Sequence, residues 1–229
     1  MSNLAAVLTG DLIGSTEAGP RRVERSMTVL AQAAEFIENG TRNDSTHFYS
    51  YRGDGWQMHL KHPGDSLWVV VYLNALLKAD PQCLPTRIAI GIGEVDSLGA
   101  AGLAGGSGNA FTSSGRALDA MPPRQTLALA GDPTDEMQRV VVAFIDERMS
   151  GWSPEQAEVV KLRLTIMEPG EDEMASYLIR RSNLTQGEIA GQLAITRQAV
   201  GARLQVAGYK LINKACDVFR GCFEPKEAR

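Results

Sequence analysis

Cysteine and long apolar runs are both scarce in this chain of 229 residues. Its three cysteines, Cys83, Cys216 and Cys222, match no zinc-ligand spacing, so we expect reduced thiols in a cytoplasmic protein. The longest apolar stretch, Leu67–Leu77, contains Asn74 and is shorter than the roughly 18 residues of a membrane span, so it predicts a buried helix. No basic leader precedes the first apolar run, which argues against a signal peptide. We therefore expect no membrane partner.

Charge is distributed unevenly along the chain. Residues 1–175 carry 14 Lys+Arg and 23 Asp+Glu, a balance of −9, whereas residues 176–229 carry 9 and 4, a balance of +5. The C-terminal quarter is thus the part suited to bind a polyanion. The alternative is that the positive charge of this small part only compensates the negative charge of the rest of the chain and binds no polyanion. The hydrophobic content of 44% is enough for one large domain or two small ones.

Two aspartates lie where short apolar runs end. They are Asp11 in L-T-G-D-L-I-G-S-T and Asp54 in Y-S-Y-R-G-D-G-W-Q-M. Each follows a glycine, so each carboxylate should lie at a strand end. Two such strands side by side would supply the hard oxygen ligands that Mg²⁺ or Mn²⁺ prefers. The alternative is that both aspartates only cap turns.

Further segments carry a resemblance to a known family. The run T-R-I-A-I-G-I-G-E-V at Thr86–Val95 predicts a buried strand, with one edge or face kept open by Gly91 and Gly93. A glycine-rich stretch and the helical segment A-F-T-S-S-G-R-A-L-D-A-M follow it. Together with D-L-I-G-S-T and the hairpin G-D, this order of segments resembles the catalytic domain of class III nucleotidyl cyclases.

The cyclase resemblance implies roles for single residues. It matches Asp11 and Asp54 to the metal-binding aspartates, and Arg116 to the arginine that stabilises phosphate charge in the transition state. Thr112 stands where the family has an asparagine that acts in the transition state, and Ser50 stands where it has a lysine. The positions that the resemblance assigns to the nucleotide are Gly10, Ser50, Gly53 and Asn109. Trp56, beside Asp54, either stacks on a base or fills the core.

A fuller resemblance, to the SatD family of bacterial proteins, covers nearly the whole chain. The matching segments are Gly10-Asp11, Gly53-Asp54-Gly55-Trp56-Gln57, Arg87–Val95, Gly108-Asn109-Ala110-Phe111 with Arg116, and a C-terminal L-T-Q-G-E-I-A. That family resembles a cyclase-type domain fused to a helix-turn-helix, and the resemblance implies the same architecture here. Because cyclase active sites form at dimer interfaces, it also implies a homodimer.

The hydrophobic pattern predicts an α+β unit over residues 1–131. The expected elements are a strand at Leu4–Leu8, a helix at Arg21–Asn39, a hairpin at His47–His62, a helix at Ser66–Lys78, a strand at Arg87–Val95, a helix at Ala110–Met121 and a strand at Thr126–Ala130. The first five of these, from the strand at Leu4–Leu8 to the strand at Arg87–Val95, have the βαββαβ order, which is the ferredoxin-like pattern and that of the nucleotidyl-cyclase core. The turn Gly131-Asp132-Pro133 marks the expected boundary. Residues 132–229 are predicted to be all-α and to include a short helix at Met174–Arg181.

A helix-turn-helix is predicted at about residues 184–208. Thr185-Gln186-Gly187-Glu188 has the form of a capping box, and Thr196 can cap a second helix with Val200 and Leu204 inside. Side chains that such a second helix would direct outward, toward the major groove of double-stranded DNA, are Arg197, Gln198, Gly201, Ala202 and Arg203. The alternative is a helical hairpin without a ligand.

These patterns favour a transcriptional regulator that binds double-stranded DNA through its C-terminal part. Its cyclase-like part would bind a nucleotide of unknown identity with Mg²⁺ or Mn²⁺. A second hypothesis is an active nucleotidyl cyclase or nucleotidyltransferase, in which the metal site activates the ribose hydroxyl. A third is a catalytically inactive scaffold that only dimerises the DNA-binding part.

Overall fold

The computed structural model describes residues 4–39, 46–51, 53–99, 103, 105–165, 180–181 and 184–224. At its centre is a five-stranded mixed sheet in the order β2-β3-β1-β4-β5. The strands are β1 (Leu4–Leu12), β2 (Thr46–Tyr51), β3 (Gly55–Leu60), β4 (Thr86–Glu94) and β5 (Leu127–Gly131). Strand β1 is antiparallel to both β3 and β4, and β5 runs parallel to β4. The α+β class expected from the sequence is confirmed.

Helices lie on both faces of this sheet. They are α1 (Ser15–Ala18), α2 (Pro20–Asn39), α3 (Ser66–Ala79) and α4 (Asn109–Asp119), with a single 3₁₀ turn at Pro63–Asp65 before α3. Side chains of β1 alternate between the faces, as strand geometry requires. Leu8 belongs to the same buried cluster as Leu30 of α2 and Leu67 of α3, whereas Val7 belongs to a cluster with Phe111 of α4. Helices α2 and α3 therefore cover one face, and α4 covers part of the other.

The glycines of β4 have a different role from the one expected. A Cβ atom on Gly91 would lie 2.2 Å from the carbonyl oxygen of Ala110, and one on Gly93 would lie 2.9 Å from the backbone nitrogen of Ala110. These glycines do not keep a face of the sheet open. They allow the backbone of α4 to pack directly on the strand.

The C-terminal part consists mainly of helices. They are α5 (Glu136–Ser150), α6 (Pro154–Arg163), α7 (Gln186–Leu193), α8 (Arg197–Val206) and α9 (Tyr209–Gly221). The all-α prediction is wrong in one respect, because β6 (Leu164–Thr165) pairs antiparallel with β7 (Arg180–Arg181). Two-residue strands are too short to produce a period-2 pattern, so no strand signal is visible in the sequence there. Residues 174–179 of the expected helix at Met174–Arg181 lie outside the described residues, and its last two residues form β7.

Residues from both sides of the expected boundary at 131/132 share one hydrophobic core. Helix α3 is buried between the sheet and the C-terminal helices, and its Trp68 belongs to the same cluster as Val160 of α6 and Phe219 of α9. The Nε atom of Arg220 on α9 donates to the buried carboxylate of Asp65 at 2.7 Å, next to the start of α3. The C-terminal helices are therefore anchored on the sheet-forming part. Within the described ranges, none of the helices combines the length and hydrophobicity needed to cross a lipid bilayer.

Candidate functional site

Asp11 and Asp54 occupy neighbouring positions at the same end of the sheet. Asp11 is the penultimate residue of β1 and pairs with Gly55 of β3. Asp54 immediately precedes β3, and its carbonyl oxygen accepts a hydrogen bond from the Leu12 N–H at 3.2 Å. The antiparallel pairing of β1 and β3 thus brings together two aspartates that are distant in sequence. Both residues are partly exposed, so their carboxylates are accessible to solvent.

Each of the two carboxylates has a hydrogen-bond partner. The Nε atom of Arg87 on β4 donates to Asp11 Oδ1 at 2.8 Å, and the Nη2 atom of Arg87 donates to Asp11 Oδ2. This bidentate contact raises the pKa of Arg87, so the guanidinium stays charged. The Ser15 hydroxyl, at the start of α1, donates to Asp54 Oδ2 at 2.5 Å. The expected metal ligands are therefore held in place by neighbouring side chains.

Carboxylates are among the oxygen ligands that a hard divalent cation prefers. Mg²⁺ binds through one or two protein carboxylates and completes its octahedron with water and substrate phosphates. In the part of the chain that the structure describes, no group of three or more His, Cys, Asp or Glu side chains could hold a metal ion. Any ion at this end of the sheet would therefore depend on Asp11, Asp54 and oxygen ligands from water or a phosphate. Arg87 would have to release at least part of Asp11 when the ion binds.

An open groove of about 690 Å³ begins beside Asp54. It lies between α2 and the β2–β3 hairpin, and Ser15 lines its end next to Asp54. Ser50 and Gly53, two of the positions assigned to the nucleotide, line the same groove. Its volume is within the range of small-molecule sites, about 300–1,000 Å³.

Among the described residues, no hydrogen bond or ion pair joins Arg116 or Thr112 to Asp11 or Asp54. Both lie on the exposed side of α4, whereas Ser114 and Leu118 of the same helix are buried. The Thr112 hydroxyl donates to the carbonyl oxygen of Gly108 at 3.2 Å, and Asn109 is exposed at the start of the helix. Among the described residues, none forms an ion pair with Arg116. Its guanidinium is free to meet a group from outside the chain.

Gly10 and Trp56 have structural roles. A Cβ atom on Gly10 would lie 2.5 Å from ring atoms of Trp56, so only glycine leaves room for the indole. Trp56 is completely buried, and its Nε1–H donates to the Thr86 hydroxyl at 3.0 Å. The indole therefore fills the core and is not accessible for stacking on a base.

Helices α7 and α8 begin where their capping residues predict. The Thr185 hydroxyl accepts from the Glu188 N–H, and the Glu188 carboxylate accepts from the Thr185 N–H, which completes the capping box. The Thr196 hydroxyl caps α8 by accepting from the Ala199 N–H at 3.1 Å. Ala194 joins the two helices in the left-handed conformation, with φ of 52°. This tight turn sets the crossing of α7 and α8.

The exposed side of α8 carries the expected DNA-contacting residues. Val200 and Leu204 are buried, whereas Arg197, Gln198 and Ala202 are exposed. Gly201 and Arg203 are half-buried. The first turn of α8 therefore presents one guanidinium and one carboxamide to solvent, with a small residue on the next turn. Such a surface is compatible with close approach to a groove of DNA.

Sequence reasoning gave no role at the site to Arg87 or Ser15. Arg87 was part of the strand Arg87–Val95, but its pairing with Asp11 depends on the register between β1 and β4. Ser15 was part of the motif D-L-I-G-S-T, and its hydroxyl was a potential donor in that motif. Only the fold shows that its partner is Asp54.

The chain matches no protein-family model and no curated protein sequence. The resemblances to nucleotidyl cyclases and to the SatD family therefore depend on the motifs themselves.

Proposed function

We propose that this protein is a cytoplasmic, DNA-binding transcriptional regulator whose sheet-forming part binds a nucleotide together with Mg²⁺ or Mn²⁺. The main support for DNA binding is the surface of α8. A capped helix after a tight turn, with Arg197 and Gln198 exposed and Val200 and Leu204 buried, has the features of a recognition helix. The positive balance of residues 176–229 supports the same proposal.

Two observations support the nucleotide-binding part of the proposal. The first is the position of Asp11, near the end of β1, next to Asp54, which immediately precedes the paired strand β3 and contacts Ser15 at the end of an open groove. The second is the strand order, in which β1 lies between β3 and β4, as a ferredoxin-like nucleotidyl-cyclase core requires. A bound metal ion would neutralise phosphate charge. Asp11 and Asp54 would hold the ion, Ser15 would orient Asp54, and Arg87 would be available for a phosphate once Asp11 binds the ion.

We further propose a homodimer in which the exposed side of α4 faces the aspartates of a second chain. Arg116 is solvent-exposed and lies on a different helix face from the one that packs on the sheet. A guanidinium in this position is suited to pair with a phosphate held by another chain. This arrangement would complete each site with residues from two copies.

Selection from random DNA duplexes tests the DNA-binding proposal. We expect the full chain to enrich one sequence family, and Gln198→Ala to weaken binding to it by about 1–3 kcal/mol with a relaxed sequence preference. Loss of Arg203, further along α8, should weaken binding to all sequences alike and lower the salt dependence. Gln32→Ala, an exposed change on α2 outside this unit, is the matched control. Failure to enrich any motif would contradict the proposal.

Calorimetric titration with ATP, GTP, CTP and UTP, with and without Mg²⁺ or Mn²⁺, tests the nucleotide-binding part. Asp11→Ala and Asp54→Ala should each abolish the metal-dependent component of binding while the fold is retained. If both variants bind nucleotide as the parent does, the aspartates are not the metal site.

A nucleotidyl cyclase is the second candidate, because Arg116 is free to stabilise transition-state charge in a dimer. Thr112 argues for slow turnover, since its hydroxyl proton is already donated to Gly108. The test is release of pyrophosphate from a nucleoside triphosphate with Mn²⁺. If this release occurs and Arg116→Ala abolishes it, the primary function of the protein is enzymatic.

A further inference from the structure

The groove beside Asp54 has an apolar floor and a polar rim. Val23, Met27 and Ala31 lie at intervals of four residues on α2 and line the groove together. The polar groups of the rim include Glu24 and Thr28 on α2 and Ser50 on β2. A flat ring could therefore pack on the aliphatic side chains while its edge meets the rim.

The α2 part of the rim offers hydrogen-bond acceptors. The Thr28 hydroxyl donates its proton to the backbone carbonyl of Glu24 at 2.8 Å, so its oxygen can only accept further hydrogen bonds. Glu24 ends in an exposed carboxylate to which no described residue donates a hydrogen bond. An edge with two adjacent N–H donors would satisfy this carboxylate in a bidentate contact.

We infer that this groove binds the base of the nucleotide and that the base is guanine. Among the common bases, only guanine presents two adjacent N–H donors, N1–H and N2–H, on one edge. Adenine presents an acceptor beside a donor, and uracil presents one donor between two acceptors. The base would lie on Met27 and Ala31 with its donor edge on Glu24, and the phosphates would extend toward Ser15 and Asp54. This inference rests on the proposed nucleotide function and specifies its ligand.

Two substitutions test the assignment in the full chain. Ala31→Trp fills the groove from an exposed position of α2 and should weaken GTP binding by about tenfold or more, whereas Gln32→Trp, an exposed neighbour that does not line the groove, should not. Glu24→Gln exchanges two acceptors for one acceptor and one donor, which matches adenine. It should weaken GTP about tenfold and reduce the preference for GTP over ATP. Glu35→Gln removes the same charge from an exposed position of α2 that does not line the groove, so it is the matched control.

Inorganic triphosphate with Mn²⁺, and guanosine without metal, separate the two claims. We expect Asp54→Ala to lose triphosphate binding, and Ala31→Trp to lose guanosine binding but retain triphosphate binding. If nucleotides bind and require Asp54, yet Ala31→Trp and Glu24→Gln bind GTP as the parent does, the groove assignment is wrong and the nucleotide function stands. If guanosine binds to the parent but not to Ala31→Trp, and triphosphate does not bind with metal, the groove assignment stands and the metal-site proposal is wrong. Absence of binding by every probe would overturn both.

Discussion

Asp11 and Asp54 differ in the side chains that contact their carboxylates. Asp11 is in an ion pair with Arg87, with 28% and 32% of the two side chains exposed, respectively, whereas Asp54 accepts from a neutral hydroxyl. A metal ion would therefore compete with a cation at Asp11 but with only a serine at Asp54. We expect Asp54 to contribute more of the metal affinity, and Asp11 to couple metal binding to the position of Arg87.

Asp11→Ala should slightly destabilise the protein in the absence of metal. Mutual repulsion between two aspartates would make their removal stabilising, but Arg87 already compensates the charge of Asp11. The loss should be about 1 kcal/mol or less, since a partly exposed pair contributes little. Urea unfolding of the parent and Asp11→Ala measures this difference, with Glu35→Ala as an exposed control on α2. A higher free energy of unfolding in Asp11→Ala would show that the ion pair does not compensate the charge.

At the scale of elements, the helices, hairpins and caps that depend on local sequence patterns could be predicted from the sequence. The helix expected at Arg21–Asn39 is Pro20–Asn39, and the hairpin around Gly53-Asp54-Gly55 is present. The cap at Thr196 is also present, because a cap needs only residues one turn apart. Contacts between distant residues were not predictable. Arg87 and Asp11 are 76 residues apart, and Arg220 and Asp65 are 155 apart, so only the folded sheet and helices define these pairs.

The capping box of α7 should make helix stability depend on pH. The backbone N–H of Thr185 holds the pKa of the Glu188 carboxyl below its ordinary value of 4.5. A lowered pKa in the folded state means that the cap stabilises the protein fully above the unfolded value and loses this effect as the pH falls through the folded value.

Glu188→Gln retains an acceptor for the Thr185 N–H but removes the titration. Unfolding free energies of both proteins, measured from about pH 7 to about pH 3, should therefore show a difference that decreases as the pH falls. A constant difference across this range would mean that the Glu188 charge does not stabilise the cap.

At the scale of the whole molecule, the C-terminal helices and the sheet are connected through α3. Lys78 near the end of α3 donates to the carbonyl oxygens of Met149 and Ser150 at 2.5 and 2.6 Å, and Arg220 of α9 pairs with Asp65 at its start. Both ends of α3 thus contact the part of the chain that carries α7 and α8. If the proposed function is correct, a shift of α3 is a physical route by which a bound nucleotide would change the position of α8.

Arg220→Met should destabilise the protein by about 3 kcal/mol, because it removes a cation that pairs with the buried Asp65 carboxylate. The double variant Arg220→Met with Asp65→Asn should recover part of this loss, since no charge then remains buried. Thermal and urea unfolding would measure both effects. Equal destabilisation by the single and double variants would show that the buried Asp65 charge is not the cause of the loss.

The most direct measurement of the central claim is the affinity of the full chain for its selected duplex, with and without Mn²⁺ and nucleotide. The account predicts that metal and nucleotide together change this affinity by about 5- to 150-fold, and that the duplex changes nucleotide affinity by the same factor. Asp54→Ala should retain DNA binding and lose the response. A parent protein whose DNA affinity is identical with and without saturating nucleotide and Mn²⁺ would contradict the account.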